Sequence, residues 1–166
     1  YATLIPILKE GMRVLDVGCG TGAITRGIAQ KVGEKGKVVS FEPHPVTHQK
    51  LLKNLSLNDF PQVVPLQKGL GNTAANFTIS TIDAYNPGRN RILAETAKHE
   101  VLETYSIEVD TLDKVVADLG LQRVDLIKID VEGFEIEVLK GSQSILSSPD
   151  LKAIIIELNG SGKKFG

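Results

Sequence analysis

Three charged side chains crowd one strand tip in this chain: Lys128 and Asp130, within Val124-Asp125-Leu126-Ile127-Lys128-Ile129-Asp130, and Glu132 just beyond. A spacing of two sets Lys128 and Asp130 on the same face of a strand. Central parallel strands are normally apolar, and an ionised group in one is costly unless it is paired. The pair reads either as an ion pair capping the strand or as groups that meet a ligand and a substrate, and the two roles are compatible. Ligands in open α/β sheets bind outside the carboxyl ends of the strands, so Lys128, Asp130 and Glu132 stand where the charged end of a ligand and a substrate would meet.

A second constellation lies near the start, in Asp16-Val17-Gly18-Cys19-Gly20-Thr21-Gly22-Ala23. An apolar run ends in an acid, then glycine recurs at every second position, then a helical pattern begins. Parallel strands hand over to helices in this way beside bound nucleotides. Glu42 follows 24 positions after Gly18, about where an acid reaches a ribose diol in such folds. Its two oxygens accept one hydrogen bond from each hydroxyl. Gly18, Gly20 and Ala23 also satisfy a dinucleotide fingerprint, so a nicotinamide-dependent oxidoreductase stays open, although no Tyr-x-x-x-Lys or His arrangement accompanies it. A nucleotide-binding module without turnover is the non-enzymatic alternative.

The elements that must hold these residues follow from periodicity. Strands are expected over 13–17, 38–42, 63–66, 124–130 and 153–157, the last an apolar run typical of a sheet buried on both faces. Helices are expected over about 22–32, 46–56 and 133–146, with a further helix after Asp110, which is read as its N-cap. Pro65 argues for an edge position of the third strand. Residues 68–110 break the alternation. There Phe77-Thr78-Ile79-Ser80 and Tyr105-Ser106-Ile107-Glu108-Val109 alternate as half-exposed strands able to pair, around a loop at Asn86-Pro87-Gly88-Arg89-Asn90. This segment is expected to be a small β insertion over the rim of the site. The fold class is α/β: a doubly wound, mostly parallel Rossmann-like sheet in one domain over 1–166.

Composition narrows the class of function. The chain has 166 residues, a net charge of −1 and no long basic run, which argues against a nucleic-acid partner. No apolar stretch is long enough to span a bilayer, and no signal-peptide pattern starts the chain. Cys19 is the single cysteine, so no intrachain disulfide forms and a reducing, cytoplasmic setting is expected. The chain starts at Tyr1 and is expected to be an excerpt of something longer. No His/Cys cluster has metal-ligand spacing, so no metal site is expected; Asp130 and Glu132 alone are thin support for Mg²⁺. His44, which can reach a cofactor edge, His48 and His99 are read first as surface histidines. Arg89 and Arg91, beside Tyr85, are read first as a solvated loop.

Asp16–Gly22, Phe41-Glu42-Pro43, Thr111-Leu112-Asp113, Ile127-Lys128-Ile129-Asp130-Val131-Glu132-Gly133-Phe134-Glu135 and Leu139-Lys140-Gly141 together resemble the FkbM-type methyltransferases. The resemblance runs in order from about residue 13 to Glu157. The glycine loop departs from the D-x-G-A-N-x-G usual in that family and is nearer the general methyltransferase form. The resemblance implies a class I methyltransferase fold and S-adenosylmethionine as cofactor, with O-methylation of a hydroxyl on a small molecule, sugar or glycolipid. A hydroxyl nucleophile gives up its proton as it attacks, so the resemblance makes Asp130, Glu132 and Lys128 the candidate catalytic residues: Asp130 to position cofactor or substrate, Glu132 as the base, and Lys128 to orient or neutralise them. It implies further that Asp16, Gly18, Gly20, Gly22, Glu42, Pro43, Lys68, Gly69 and Asp130 contact the cofactor: the glycine loop the methionine part, Glu42 the ribose, and Gln67–Gly69 the adenine. Class I enzymes close their sheet with a further antiparallel strand pair, and no sequence remains for it after the fifth strand. The acceptor and the oligomeric state have no readable motif.

Overall fold

The computed structural model describes residues 4–81, 91–92 and 103–157. Five strands, β1 (Arg13–Val17), β2 (Lys37–Phe41), β3 (Val63–Leu66), β8 (Leu126–Ile129) and β9 (Ala153–Ile156), form a parallel sheet in the order β3-β2-β1-β8-β9. The order reverses between β1 and β8, the place where open α/β sheets bind ligands at the strands' carboxyl ends.

Alternation along the strands builds two cores. Val14, Val38 and Leu126 face Ile28, Ala29 and Val32 of α1 (Ala23–Val32). Leu15, Val39 and Ile127 face the other side, against Leu112, Val115 and Val138. Those residues come from α3 (Leu112–Asp118) and α4 (Glu135–Lys140). Register sets Asp16 of β1 directly beside Lys128 of β8. That pairing is the exception in an otherwise apolar central pair of strands.

The 68–110 segment forms a second, four-stranded sheet, ordered β4-β7-β5-β6, from β4 (Gly69–Leu70), β5 (Ala75–Thr81), β6 (Arg91–Ile92) and β7 (Glu103–Asp110). β5 and β7 pair antiparallel, with Phe77 opposite Ile107 and Ile79 opposite Tyr105. The Thr-Leu-Asp and Leu-Lys-Gly motifs anchor this sheet to the main one. Asp113 N–H donates to Gly141 O at 3.0 Å, and the Asp113 carboxylate accepts from Ser144 N–H at 2.8 Å and Ile145 N–H at 3.0 Å. A Cβ on Gly141 would lie 2.0 Å from Gly71 O, so only glycine allows the two segments to cross there.

Several expectations change in detail. The helix expected over 133–146 is two: α4, then α5 (Gln143–Leu146), divided where Gly141 packs on Gly71. Thr111, not Asp110, caps α3, its hydroxyl accepting from Lys114 N–H at 3.3 Å. Asp110 instead accepts from Thr111 N–H at 2.9 Å and pairs with Lys114 Nζ at 2.7 Å. β8 is shorter than expected, and just before it the Asp125 carboxylate accepts from Arg13 N–H at 2.8 Å and from Lys152 Nζ at 2.6 Å. β9 is not covered on both faces: among the described residues it pairs only with β8, and Ile154 is 38% exposed. β3 lies at the opposite edge, as Pro65 requires.

Candidate active site

The turn after β1 closes on itself through Gly22 N–H donating to Cys19 O at 3.0 Å and is held in place by its neighbours. Gly18 N–H and Cys19 N–H both donate to Phe41 O at 3.0 Å, and Lys128 Nζ donates to Gly18 O at 2.9 Å. Gly18 has φ +72°, and a Cβ there would sit 1.9 Å from Asp130 O. Gly20, at φ +56°, has nothing within 4 Å of its missing Cβ and lines the cavity described below. Two glycines of one loop thus serve different ends: one admits the neighbouring strand, the other opens space for a ligand.

Glu42 closes the β2 side. It is buried, its Oε2 accepting from Gly20 N–H at 3.1 Å and its Oε1 from His44 N–H at 2.9 Å. Burial raises its carboxyl to about 7, against the opposing pull of those two N–H groups and Lys128. Each oxygen keeps acceptor capacity for a further donor, which a diol supplies.

On the β8 side, Lys128 is 4% exposed and pairs with Asp16 at 3.2 Å and Asp130 at 3.7 Å. Asp16 Oδ2 also accepts from Thr25 Oγ1 at 2.7 Å. Asp130 is half-buried. Burial lifts its carboxyl above the usual carboxylate range, with Lys128 opposing and Glu157, Asp16 and Glu135 reinforcing. Glu132 follows at φ +53°, a left-handed conformation unusual for a side chain with a Cβ, and Gly133 at φ +107°. The tight turn is secured by Gly133 N–H donating to buried Glu135 at 3.0 Å.

These groups surround a cavity of about 360 Å³. Gly18, Gly20, Glu42 and Pro43 border it, as do Lys68 and Gly69 past β3, and Lys128, Asp130 and Glu132 past β8. Asp16 and Gly22 are not among the residues that line the cavity. Asp16 is fully buried beneath Lys128, and the missing Cβ of Gly22 would meet Leu51 Cδ1 at 2.4 Å, so Gly22 seats the loop on α2 (Pro45–Ser56). Gln67 is likewise absent from the wall, whereas Lys68 is held by Glu108 at 2.6 Å and Asp110 at 3.8 Å.

His44 and His48 are buried, not surface residues. His44 caps α2, its Nδ1 accepting from Thr47 N–H at 3.4 Å, and lies edge-on to Tyr105 with ring centroids 4.7 Å apart. Burial lowers both imidazoles below their ordinary range. Burial also pushes the Cys19 thiol well up, leaving it a poor nucleophile. His99, Arg89 and Tyr85 lie outside the described residues, and Arg91 falls in β6. Among the described residues no three His, Cys, Asp or Glu side chains are grouped to hold a metal, and no helix is long and apolar enough to cross a membrane.

Ile79, Ile107, Val109 and Phe134 also border the cavity, and of these only Phe134 falls in a motif legible in the sequence. Alternation placed the first three on strands. It did not indicate which face would turn towards the glycine loop.

The family model described as Methyltransferase FkbM domain matches residues 16–166. Methyltransferase sdnD of Sordaria araneosa is 31% identical over 155 residues, covering 77% of this chain and 59% of that protein. Methyltransferase 1 of Beauveria bassiana is 28% identical over 144 residues, covering 77% of this chain and 57% of that one. Hexuronic acid methyltransferase AglP of Haloferax volcanii is 30% identical over 127 residues, covering 75% and 48%. The chain thus spans about half the length of these relatives. The match displaces the nicotinamide reading, which rested on Gly18, Gly20, Ala23 and Glu42 and left Lys128–Gly133 without a role. The chain belongs to the FkbM methyltransferase domain family, whose cofactor is S-adenosylmethionine.

Proposed function

We propose that this domain transfers a methyl group from S-adenosylmethionine to a hydroxyl oxygen of a small molecule, sugar or glycolipid. The observation that carries the reading is Asp130, a half-buried carboxylate at the cavity wall whose affinity for a proton is raised by burial and restrained by Lys128. A carboxylate tuned in that direction is a better proton acceptor than an exposed one.

The cavity fits the cofactor on its own chemistry. Gly20 leaves open space where a side chain would stand, and Glu42 offers a buried acceptor pair to a ribose diol. Pro43 and Gly69 border the same space, with Lys68 beside them. Asp16 and Gly22 act behind this surface by fixing the loop, and Lys128, itself at the wall, grips it through Gly18 O. When bound, the cofactor's sulfonium supplies an electrophilic methyl, so the protein's task is chiefly alignment of the attacking oxygen. Asp130 orients the acceptor hydroxyl and accepts its proton as the oxygen–carbon bond forms. Glu132, held in its left-handed turn beside Asp130, is the alternative base.

The test is transfer of labelled methyl from S-adenosylmethionine to a panel of sugars, hexuronic acids and aliphatic alcohols. A hydroxyl acceptor yields an alkali-stable ether. An alkali-labile ester as the sole product would move the reading to carboxylates, the alternative that a hexuronic acid methyltransferase among the relatives makes worth including. Cofactor binding with no transfer across the panel by the full-length protein would favour a non-catalytic module.

A further inference from the structure

We propose that Glu135, which does not itself line the cavity, is a positioning residue for the transfer: by accepting from Gly133 N–H it holds the left-handed turn that sets Glu132 and Phe134 on the cavity wall. Glu132 has φ +53° and Gly133 φ +107°. A residue with a Cβ enters the left-handed region only at a cost that surrounding contacts must hold against. Strain of this kind persists where the structure over-determines it, and it gathers at working sites. A glycine at 132 would make the same turn with no such cost. The chain places a glutamate there instead, and Asp130, Val131 and Phe134 around it line the same cavity.

Glu135 opens α4, and its Oε1 accepts from Gly133 N–H at 3.0 Å. An acid in the first turn of a helix ordinarily serves the helix dipole from the surface. Glu135 is only 5% exposed. Burial adds nothing to that service and costs the carboxylate its hydration. The bond to Gly133 accounts for the burial where the dipole does not. Phe134, the residue between the two, is the N-cap of α4 and has no side-chain cap to offer it. Its ring lies edge-on to Phe77 of the inserted sheet, with centroids 5.9 Å apart. The bond that shapes the turn therefore also fixes where this ring meets the insertion. Glu135 stands close enough to Asp130 to reinforce, after burial and together with Glu157 and Asp16, the lift of its carboxyl against Lys128.

This rests on the proposed transfer with Asp130 or Glu132 as base, and the experiment separates the two. Conservative variants of the full-length protein divide reach from charge. Glu135→Gln keeps an acceptor oxygen at the same reach and loses the charge. Glu135→Asp keeps the charge and falls one methylene short of Gly133 N–H. With the fastest acceptor of the panel above, the Gln variant is expected to hold kcat within about threefold of wild type. The Asp variant is expected to lower it at least about tenfold, with KM for S-adenosylmethionine within about twofold in both. Amide exchange read by NMR follows the turn without any acceptor: Gly133 should stay protected in the Gln variant and exchange at least about tenfold faster in the Asp variant. If the Asp variant does not fold, Glu135→Met, which matches the length and lacks the acceptor, takes its place with the same expected losses. A kcat in the Asp or Met variant equal to that of the Gln variant, or a Gly133 amide equally protected in both, would overturn the proposal. Asp130→Asn and Glu132→Gln run in the same assay test the reading beneath it. Transfer at the wild-type rate by both would refute the carboxylate base itself, whatever the Glu135 variants do.

Discussion

Lys128 Nζ donates to Gly18 O at 2.9 Å, so the strand bearing the candidate catalytic carboxylates also grips the loop expected to hold the cofactor. The lysine is buried and is neutralised by Asp16 and Asp130. This side chain adds to the β1–β8 backbone pairing in fixing the two halves of the site against each other. Lys128→Met should strand the fully buried Asp16 without its counter-charge, a class of change that costs about 3–5 kcal/mol. Urea unfolding measures it, and a loss under about 1 kcal/mol would mean that the pair does not hold the site together.

The two cavity glycines should fail differently when replaced by alanine. At Gly18 the new Cβ would collide with the Asp130 carbonyl, so the variant should unfold more easily and bind nothing well. At Gly20 it meets no atom, and the cost is confined to the left-handed backbone, about 1–2 kcal/mol. Gly20→Ala should fold and lose S-adenosylhomocysteine affinity. Thermal melts and titrations of both proteins read the contrast directly.

Glu42 should make cofactor binding pH-dependent. Its carboxyl titrates near 7 in the folded chain against an ordinary 4.5. A ribose diol donates to the ionised form, so affinity should fall below pH 7, by up to about tenfold per unit. Calorimetry in buffers of different ionisation heat should register a proton released on binding at pH 6. Glu42→Gln should flatten the profile.

The same group works against the ligand-free fold. The folded state holds the Glu42 proton more tightly than the unfolded chain does. Its contribution to stability is therefore fully present below about pH 4.5 and is lost as pH rises through about 7. The stability of Glu42→Gln relative to wild type should climb across that window by about 3 kcal/mol. Paired denaturation curves at pH 4.5 and 8 test it.

Asp130→Asn should keep S-adenosylhomocysteine affinity within a few-fold and lower methyl transfer by roughly 10²–10⁴. Wild-type turnover should rise with pH through a carboxyl value above the ordinary range, in line with its burial. Transfer at the wild-type rate by the Asn variant would remove Asp130 from the reaction.

Much of this arrangement is legible in the sequence because it is written in local chemistry. Asp16, the alternating glycines and Glu42 lie close in sequence to the turns they form, and Lys128 and Asp130 stand out from an apolar strand. The five parallel strands follow from apolar runs separated by helical patterns. What was not legible depends on contacts distant in sequence. Gly22 looks like its sister glycines until Leu51 is packed against it. Asp16 stands out in the sequence as a strand-tip acid, but its enclosure by Lys128 and Thr25 depends on residues brought in from elsewhere. Gly141 ends a helix because Gly71, 70 positions earlier, crosses it. Ile79 and Ile107 carry no polar signature at all, and only the pairing of β5 with β7 turns them to the cavity.

The most direct test of the account is calorimetric titration of the purified chain with S-adenosylhomocysteine, with NAD⁺ in parallel and Glu42→Gln alongside. The account predicts micromolar binding of S-adenosylhomocysteine by wild type, clear weakening in the variant and no binding of NAD⁺. Binding of NAD⁺ without S-adenosylhomocysteine, or an affinity indifferent to Glu42, would contradict it.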